Sequence, residues 1–221
     1  MPSFALTDLE TRILGCLLEK ERLTPENYPL SLNSLAAACN QSTNRDPVAS
    51  YDEKTVEAGV NALREKKLAT VIFGTGFRVQ KYRHNLRDHY SLSPADTALL
   101  CVLMLRGPQT PGELRSRTER MHAFENVGEV ESCLAELGAG ESPLIRFVPA
   151  RSGQKEGRYV QLFSVEVAER EEKVPDLTSH QTTEGKEELS KIDALTKEVA
   201  TLRIELQQLR EEFAAFRQQF E

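Results

Sequence analysis

The feature that most constrains this chain is a repetition within its first two thirds. Thr7-Asp8-Leu9-Glu10 opens an apolar run at helical spacing (Leu9, Ile13, Cys16, Leu17). Ser93-Pro94-Ala95-Asp96 opens another (Leu99, Val102, Leu103) 86 residues later. Each opening sets an N-capping hydroxyl three residues before a carboxylate, which satisfies N–H groups that the first turn of a helix leaves unpaired. At the same offset Thr24-Pro25 meets Thr110-Pro111. At an offset of 74, Val56-Glu57 with Val60 and Leu63 meets Val130-Glu131 with Leu134 and Leu137. Three anchors in one order predict two homologous units, the second lacking twelve residues of the middle loop.

Both units have the same predicted element order. In the first, one helix runs about Asp8–Glu21. A second starts at Ser31, with Leu30 and Leu35 at hydrophobic-staple positions, and ends near Asn40. A third follows Ser50, whose partner Glu53 completes a capping box, and ends near Lys67. Leu68–Phe73 and Phe77–Tyr82, joined by Gly74-Thr75-Gly76, read as a β-hairpin. In the second unit helices begin after Ser93, Thr110 and Asn126, and strands cover Leu144–Pro149 and Tyr159–Phe163. Three helices and a hairpin make a winged helix-turn-helix, with the hairpin as wing. The expected fold class is mainly α with small β-hairpins (α+β): winged-helix domains at residues 1–90 and 91–165, a polar linker at 166–186, and a coiled-coil helix at 187–221.

Several stretches carry a resemblance. Leu14-Gly15-Cys16-Leu17-Leu18-Glu19-Lys20, Tyr28-Pro29-Leu30-Ser31-Leu32-Asn33, Ala38-Cys39-Asn40-Gln41, Asn44-Arg45-Asp46-Pro47 and Leu105-Arg106-Gly107-Pro108-Gln109-Thr110-Pro111-Gly112-Glu113-Leu114-Arg115 together resemble the bacterial YceH-like family. The resemblance covers most of residues 5–163 and implies a tandem winged-helix fold. It implies little about activity.

The tail carries a separate pattern. Ile192, Leu195, Val199, Leu202, Leu206, Leu209, Phe213 and Phe216, followed by Phe220, step by three and four. That is four heptads of a coiled coil, and β-branched residues at the first a positions with Leu at d favour two strands. Glu198, Glu205 and Glu212 at g face Arg203, Arg210 and Arg217 at the partner's following e in a parallel dimer, whereas antiparallel pairing sets like charges together. The rival reading is one amphipathic helix lying on its own domain. Glu166–Lys186, polar and holding Pro175 and Gly185, reads as a linker.

Charge divides unevenly along the 221 residues. Residues 1–90 carry 12 basic and 11 acidic side chains, 91–165 carry 8 and 9, and 166–221 carry 8 and 14, so the net −6 belongs to the tail. Lys66, Lys67, Arg78, Lys81, Arg83 and Arg87 form a run without an acid at the end of the third helix and in the wing, a phosphate-contacting pattern in which Tyr82 could pack. Lysines guarding an edge strand would look the same. Lys54 lies on the outward line of the third helix, next to the acids Asp52 and Glu53 that phosphate repels. Asn44 and Arg45 can donate to backbone or base edges, and equally suit a turn. In the second unit, residues 121–145 hold five glutamates and no Lys or Arg, which argues against a duplex and for a protein partner. Arg115, Arg117 and Arg120 could face either acids or phosphate.

Catalytic and metal-binding patterns are missing. His84, His89, His122 and His180 make no spaced set with cysteines or carboxylates, and the first two sit in a basic segment where a solvent-facing ring is expected. Cys16, Cys39, Cys101 and Cys133 lie in apolar helical patterns and read as free buried thiols. No cofactor, metal or enzyme is expected. No apolar run approaches the ~20 residues of a membrane span, and the first residues lack signal-peptide character, so the expected compartment is the cytoplasm. The reading that results is a parallel homodimer that binds double-stranded DNA, a transcriptional regulator contacting DNA mainly through its first domain. The alternative is a non-catalytic protein-interaction scaffold on the same fold.

Overall fold

The computed structural model describes residues 5–74, 79–150 and 155–164. The first repeat contains α1 (Asp8–Leu23), β1 (Leu30–Ser31), α2 (Leu32–Cys39), α3 (Glu53–Glu65), β2 (Ala69–Ile72), β3 (Lys81–His84) and the short α4 (Leu86–His89). The second contains α5 (Pro94–Arg106), α6 (Pro111–Thr118), α7 (Val127–Gly138), β4 (Ile145–Val148) and β5 (Arg158–Gln161). The class is mixed α and β, with small antiparallel sheets. Among the described residues no helix is long and apolar enough to cross a membrane.

The predicted capping boxes form at the start of both lead helices. Thr7 accepts from the Glu10 N–H and Glu10 accepts from the Thr7 N–H; Ser93 and Asp96 do the same for α5. The third helix begins later than the sequence suggests. Asp52, not Ser50, caps α3 by accepting from the Thr55 N–H at 2.7 Å. The Thr24-Pro25 anchor also needs correction. It opens only a single 3-10 turn (Pro25–Asn27), and Ser31 caps α2 as Thr110 caps α6. Equivalent caps therefore stand 86, 79 and 74 residues apart. The twelve missing residues are split between the two loops on either side of the second helix, because each loop shortens without disturbing a helix.

The sheets repeat too. In the first, β3 lies between β1 and β2, with Tyr82 opposite both Leu30 and Val71. In the second, β4 pairs with β5, and an isolated bridge from Gln109 to Tyr159 occupies the place of β1. Among the described residues β3 covers Lys81–His84, while Phe77, the predicted strand start, lies outside them; the strand β1 and helix α4 leave too few residues for a periodicity to register. The first and last described segments close on each other. The Leu6 N–H donates to the Phe163 carbonyl at 2.7 Å, and Ser164 Oγ donates to Asp8 at 3.0 Å.

The two repeats share one hydrophobic core, whose spine is α1 packed on α5. From Glu10 to Glu19 every residue of α1 is buried, because α2, α3, α5 and strand β3 surround it. The two lead helices meet at corresponding positions. Cys101 Sγ donates to the Gly15 carbonyl at 3.4 Å, across a separation of 86 residues. At the 86-residue offset Gly15 and Cys101 are counterparts, so the two lead helices touch at equivalent positions. A β-carbon on Gly15 would lie 2.8 Å from Leu105 Cδ2 and 3.1 Å from Met104 Cβ, so the absence of a side chain sets how closely the helices approach.

Gly15→Ala tests that approach. Helix propensity alone favours alanine by about 1 kcal/mol. Overpacking opposes it, and a net loss of about 1–3 kcal/mol is expected from denaturant unfolding. A stabilised variant would mean that the helices separate at little cost.

Candidate nucleic-acid interface

The β2–β3 sheet of the first repeat is built by alternation along β3. Tyr82 and His84 point inward and are buried, while Arg83 is exposed and Lys81 half-buried. Tyr82 therefore belongs to the core rather than to a cationic surface; its hydroxyl donates to Gln80 at 3.3 Å. His84 does not face solvent either. Its Nε2 lies 3.1 Å from Glu21 Oε2, and its backbone N–H donates to the Tyr28 hydroxyl at 2.8 Å. The hydrogen bond from His84, outweighing burial, holds the Glu21 carboxyl below its ordinary pKa, with help from Arg87 at 3.6 Å. Arg87 itself is exposed.

Four predicted contact residues have structural duties that sequence patterning could not disclose. Arg45 is not a loop donor on the surface. Its guanidinium is buried, 2.7 Å from Glu19, and also donates to the carbonyls of Ala38 and Asn44 and to Gln41. Burial would raise the Glu19 pKa, but the hydrogen bond and charge of Arg45, with Lys20 beside it, bring it below the ordinary value. Lys66 is likewise committed: Nζ sits 2.7 Å from both Glu10 oxygens and donates to the Ala5 carbonyl at 2.9 Å. Lys67 is exposed at φ 61°, and its carbonyl takes Asn85 and His89. Asn44, at φ 59°, makes the left-handed turn that lets Arg45 reach inward, a conformation asparagine tolerates.

Lys54 is exposed on α3, and the acids beside it are structural. Asp52 is the cap, and Glu53 accepts from Asn33 of α2 at 2.8 Å. The structure thus brings Lys81, Arg83, Arg87 and Lys67 to β3 and its flank and leaves Lys54 on α3. Arg78 lies outside the described residues, as do all the predicted dimerisation residues from Ile192 to Phe216 and the tail pattern as a whole. Arg12 carries no mark in the sequence pattern beyond being a cation in a helix turn otherwise read as core. It is buried on α1 and donates to the Cys39 and Pro47 carbonyls.

The second repeat uses its cations differently. Arg115 donates to the carbonyls of Phe124 and Glu125, fixing the loop that leads into α7. Glu113 completes the Thr110 capping box of α6 and takes Arg158 at 2.7 Å and Arg117 at 3.7 Å. Arg120 is exposed beyond the end of α6. On α7, Glu129 accepts from the Glu125 N–H, while Glu131 and Glu136 are exposed. Cys16, Cys39 and Cys101 are buried free thiols and Cys133 is half-buried. Among the described residues no group of three or more His, Cys, Asp or Glu side chains is arranged to hold a metal ion.

Comparison with known proteins places the chain in a family. Residues 6–154 match the family model described as "Protein of unknown function, DUF480". A UPF0502 protein of Shewanella baltica (strain OS223) is 48% identical over 179 residues, covering 79% of this chain and 80% of the relative. One from Opitutus terrae is 50% identical over 168 residues, covering 76% and 73%. One from Geobacter sulfurreducens is 45% identical over 224 positions, covering 98% of both chains. The chain belongs to the DUF480 (UPF0502) family, consistent with the resemblance drawn from its motifs.

Breaking the buried Glu19–Arg45 pair should be costly, because the remaining charge keeps its desolvation penalty. Glu19→Ala is expected to lose about 3–5 kcal/mol in equilibrium unfolding, while an apolar replacement of both partners recovers most of it. The depressed Glu19 pKa sets the pH sign. Its contribution is complete above the unfolded carboxyl value of about 4.3 and is lost as pH falls through the lower folded value. Acid unfolding curves of wild type and Glu19→Gln should converge in that window; parallel curves would exclude a Glu19 contribution.

Proposed function

We propose that this member of the DUF480 family is a dimeric DNA-binding protein, a transcriptional regulator of the cytoplasm. In this reading each repeat is a winged helix-turn-helix domain, with α2–α3 and α6–α7 as the helix-turn-helix pairs and each hairpin as a wing. The domains cover residues 1–90 and 91–165, joined by the linker 166–186 to a parallel coiled coil at 187–221. The observation that carries the proposal is the alternation on β3, which puts Lys81 and Arg83 on the outer face of a hairpin anchored by Tyr82 and His84. Exposed Arg87 and Lys67 extend that face toward α4 and the end of α3. Cations on a rigid support attract the phosphate backbone through counterion release.

Only one repeat is equipped for this. The glutamates of α7 would oppose a duplex, so DNA binding is assigned to the first repeat. The same acidity favours a second reading, a non-catalytic protein-interaction scaffold in which α7 meets a basic protein surface.

Salt-dependent binding separates the two. Duplex affinity of the full chain should fall steeply with salt, and Lys81→Ala with Arg83→Ala should lower the log–log slope by up to ~0.9 for each phosphate no longer neutralised. Glu131→Ala with Glu136→Ala should leave the slope unchanged. Absence of duplex binding at low salt would favour the scaffold.

Truncation after Val165 tests the tail. The described core closes at Leu6–Phe163, so the shortened chain should remain folded, become monomeric in sedimentation, and bind DNA more weakly through reduced effective concentration. A truncated protein that still dimerises would move the interface to the repeats.

A further inference from the structure

We propose that Cys16 is the peroxide-reactive thiol of this chain and that Cys39 resolves it, the two closing a disulfide between α1 and the end of α2; this does not depend on the DNA-binding reading. Helix geometry sets the positions. Arg12, Cys16 and Glu19 stand at i, i+4 and i+7, so they share one face of α1. Both ends of that row are tied to the last turn of α2. Arg12 donates to the Cys39 carbonyl at 3.3 Å, and Arg45, held by Glu19, donates to the Ala38 carbonyl at 3.0 Å. Cys16 lies between these two clamps and meets the Cys39 thiol in a hydrogen bond. Both thiols are free and fully buried.

A cysteine buried in apolar surroundings is ordinarily inert, because the nucleophile is the thiolate. The surroundings of Cys16 are cationic. Burial would raise its pKa, but the hydrogen bond from Cys39 and the charges of Arg45 and Arg12 outweigh burial and Glu19, and bring it below the ordinary thiol value. The same hydrogen bond, with burial, pushes Cys39 up, so Cys39 keeps its proton and donates it. The other two thiols have the opposite setting. Burial pushes Cys101 well up, with Glu19 and Cys16 adding to it, and its Sγ donates to the Gly15 carbonyl. Burial also raises Cys133, and the carboxylates of Asp96, Glu136 and Glu129 reinforce the shift. The most exposed thiol is thus the least nucleophilic, the reverse of the order that exposure alone gives.

The oxidant is hydrogen peroxide, uncharged and little larger than water, and Cys39 is the last residue of α2, where brief local opening admits it. Cys16 Sγ attacks one peroxide oxygen, the O–O bond breaks, and the departing hydroxide takes up the Cys16 proton as water. Cys16 is left as a sulfenic acid. Cys39 Sγ then attacks Cys16 Sγ, the S–O bond breaks, and the leaving hydroxide takes the Cys39 proton as a second water. Two thiols have lost two electrons and one peroxide has been reduced to two waters.

The test treats the folded full chain with hydrogen peroxide, quenches at intervals by alkylation under denaturing conditions, and maps the peptides without reduction. Cys16 and Cys39 should lose their free thiols together and appear as one linked pair, while Cys133 and Cys101 remain alkylated. Cys39→Ser should stop at a sulfenic acid on Cys16, trapped by dimedone in the quench, and Cys16→Ser should form no disulfide. A circular-dichroism melt shows whether each variant is folded; the order of thiol loss in wild type decides the matter even where one is not. Prior oxidation of Cys133, a disulfide that includes Cys101, dimedone on Cys39 instead of Cys16, or four thiols that react only in the denatured chain would each overturn the proposal.

Discussion

The approach of α1 to α5 at Gly15 is the contact on which the remaining architecture depends. Because Gly15 has no side chain, Leu105 and Met104 can press against the backbone of α1, and one core forms across both repeats. The closeness has a consequence at the edge of that contact. The long loop after α2 is drawn into it: the Asp46 N–H donates to the Leu105 carbonyl at 2.9 Å, Arg12 holds the Cys39 and Pro47 carbonyls, and Arg45 reaches Glu19. A segment that would otherwise be a surface connection becomes part of the joint. Placement of α3 and the first hairpin follows from how that loop is fastened.

Much of the fold is legible in the sequence because it is written in local chemistry. Capping hydroxyls at Thr7, Ser31, Ser93 and Thr110, and apolar spacing after them, locate the helices within a few residues. Sequence and structure part where two local signals compete. Ser50 and Asp52 both precede α3 at capping distance, and the one that reaches Thr55 is decided by the route of the preceding loop. Thr24-Pro25 looks like Thr110-Pro111, yet the chain must first turn through Tyr28 and Leu30 to pair β1 with β3. The site is harder to read, since it depends on which cations find internal partners. Arg45 and Lys66 look like Arg83 in sequence, but Glu19 and Glu10, some 26 and 56 residues away, take them out of the surface. Long-range pairing of that kind leaves no mark on a linear pattern.

The repeats have kept geometry and exchanged chemistry. The Gln109–Tyr159 bridge and β1 do the same mechanical work, and Asn126 caps α7 as Asp52 caps α3. Yet arginines of the second repeat brace its own loops and caps, with Arg115 on Phe124 and Glu125 and Arg158 on Glu113. The first repeat leaves Arg83 and Arg87 toward solvent. Committing the arginines of the second repeat to its own loops and caps makes the two surfaces unlike.

The joining of Leu6 to Phe163 turns the pair of repeats into a ring. Ser164 meets Asp8 across 156 residues, and the entropy of closing a loop grows only slowly with its length, so even this long circuit is held by a few bonds. Neither end of the ring is then free to fray by itself. Opening the last strand exposes Leu6 beside α1, and loosening α1 uncovers α5, so disturbance at one terminus is shared by both halves. Such a closure favours cooperative unfolding of the two repeats over unfolding as beads on a string.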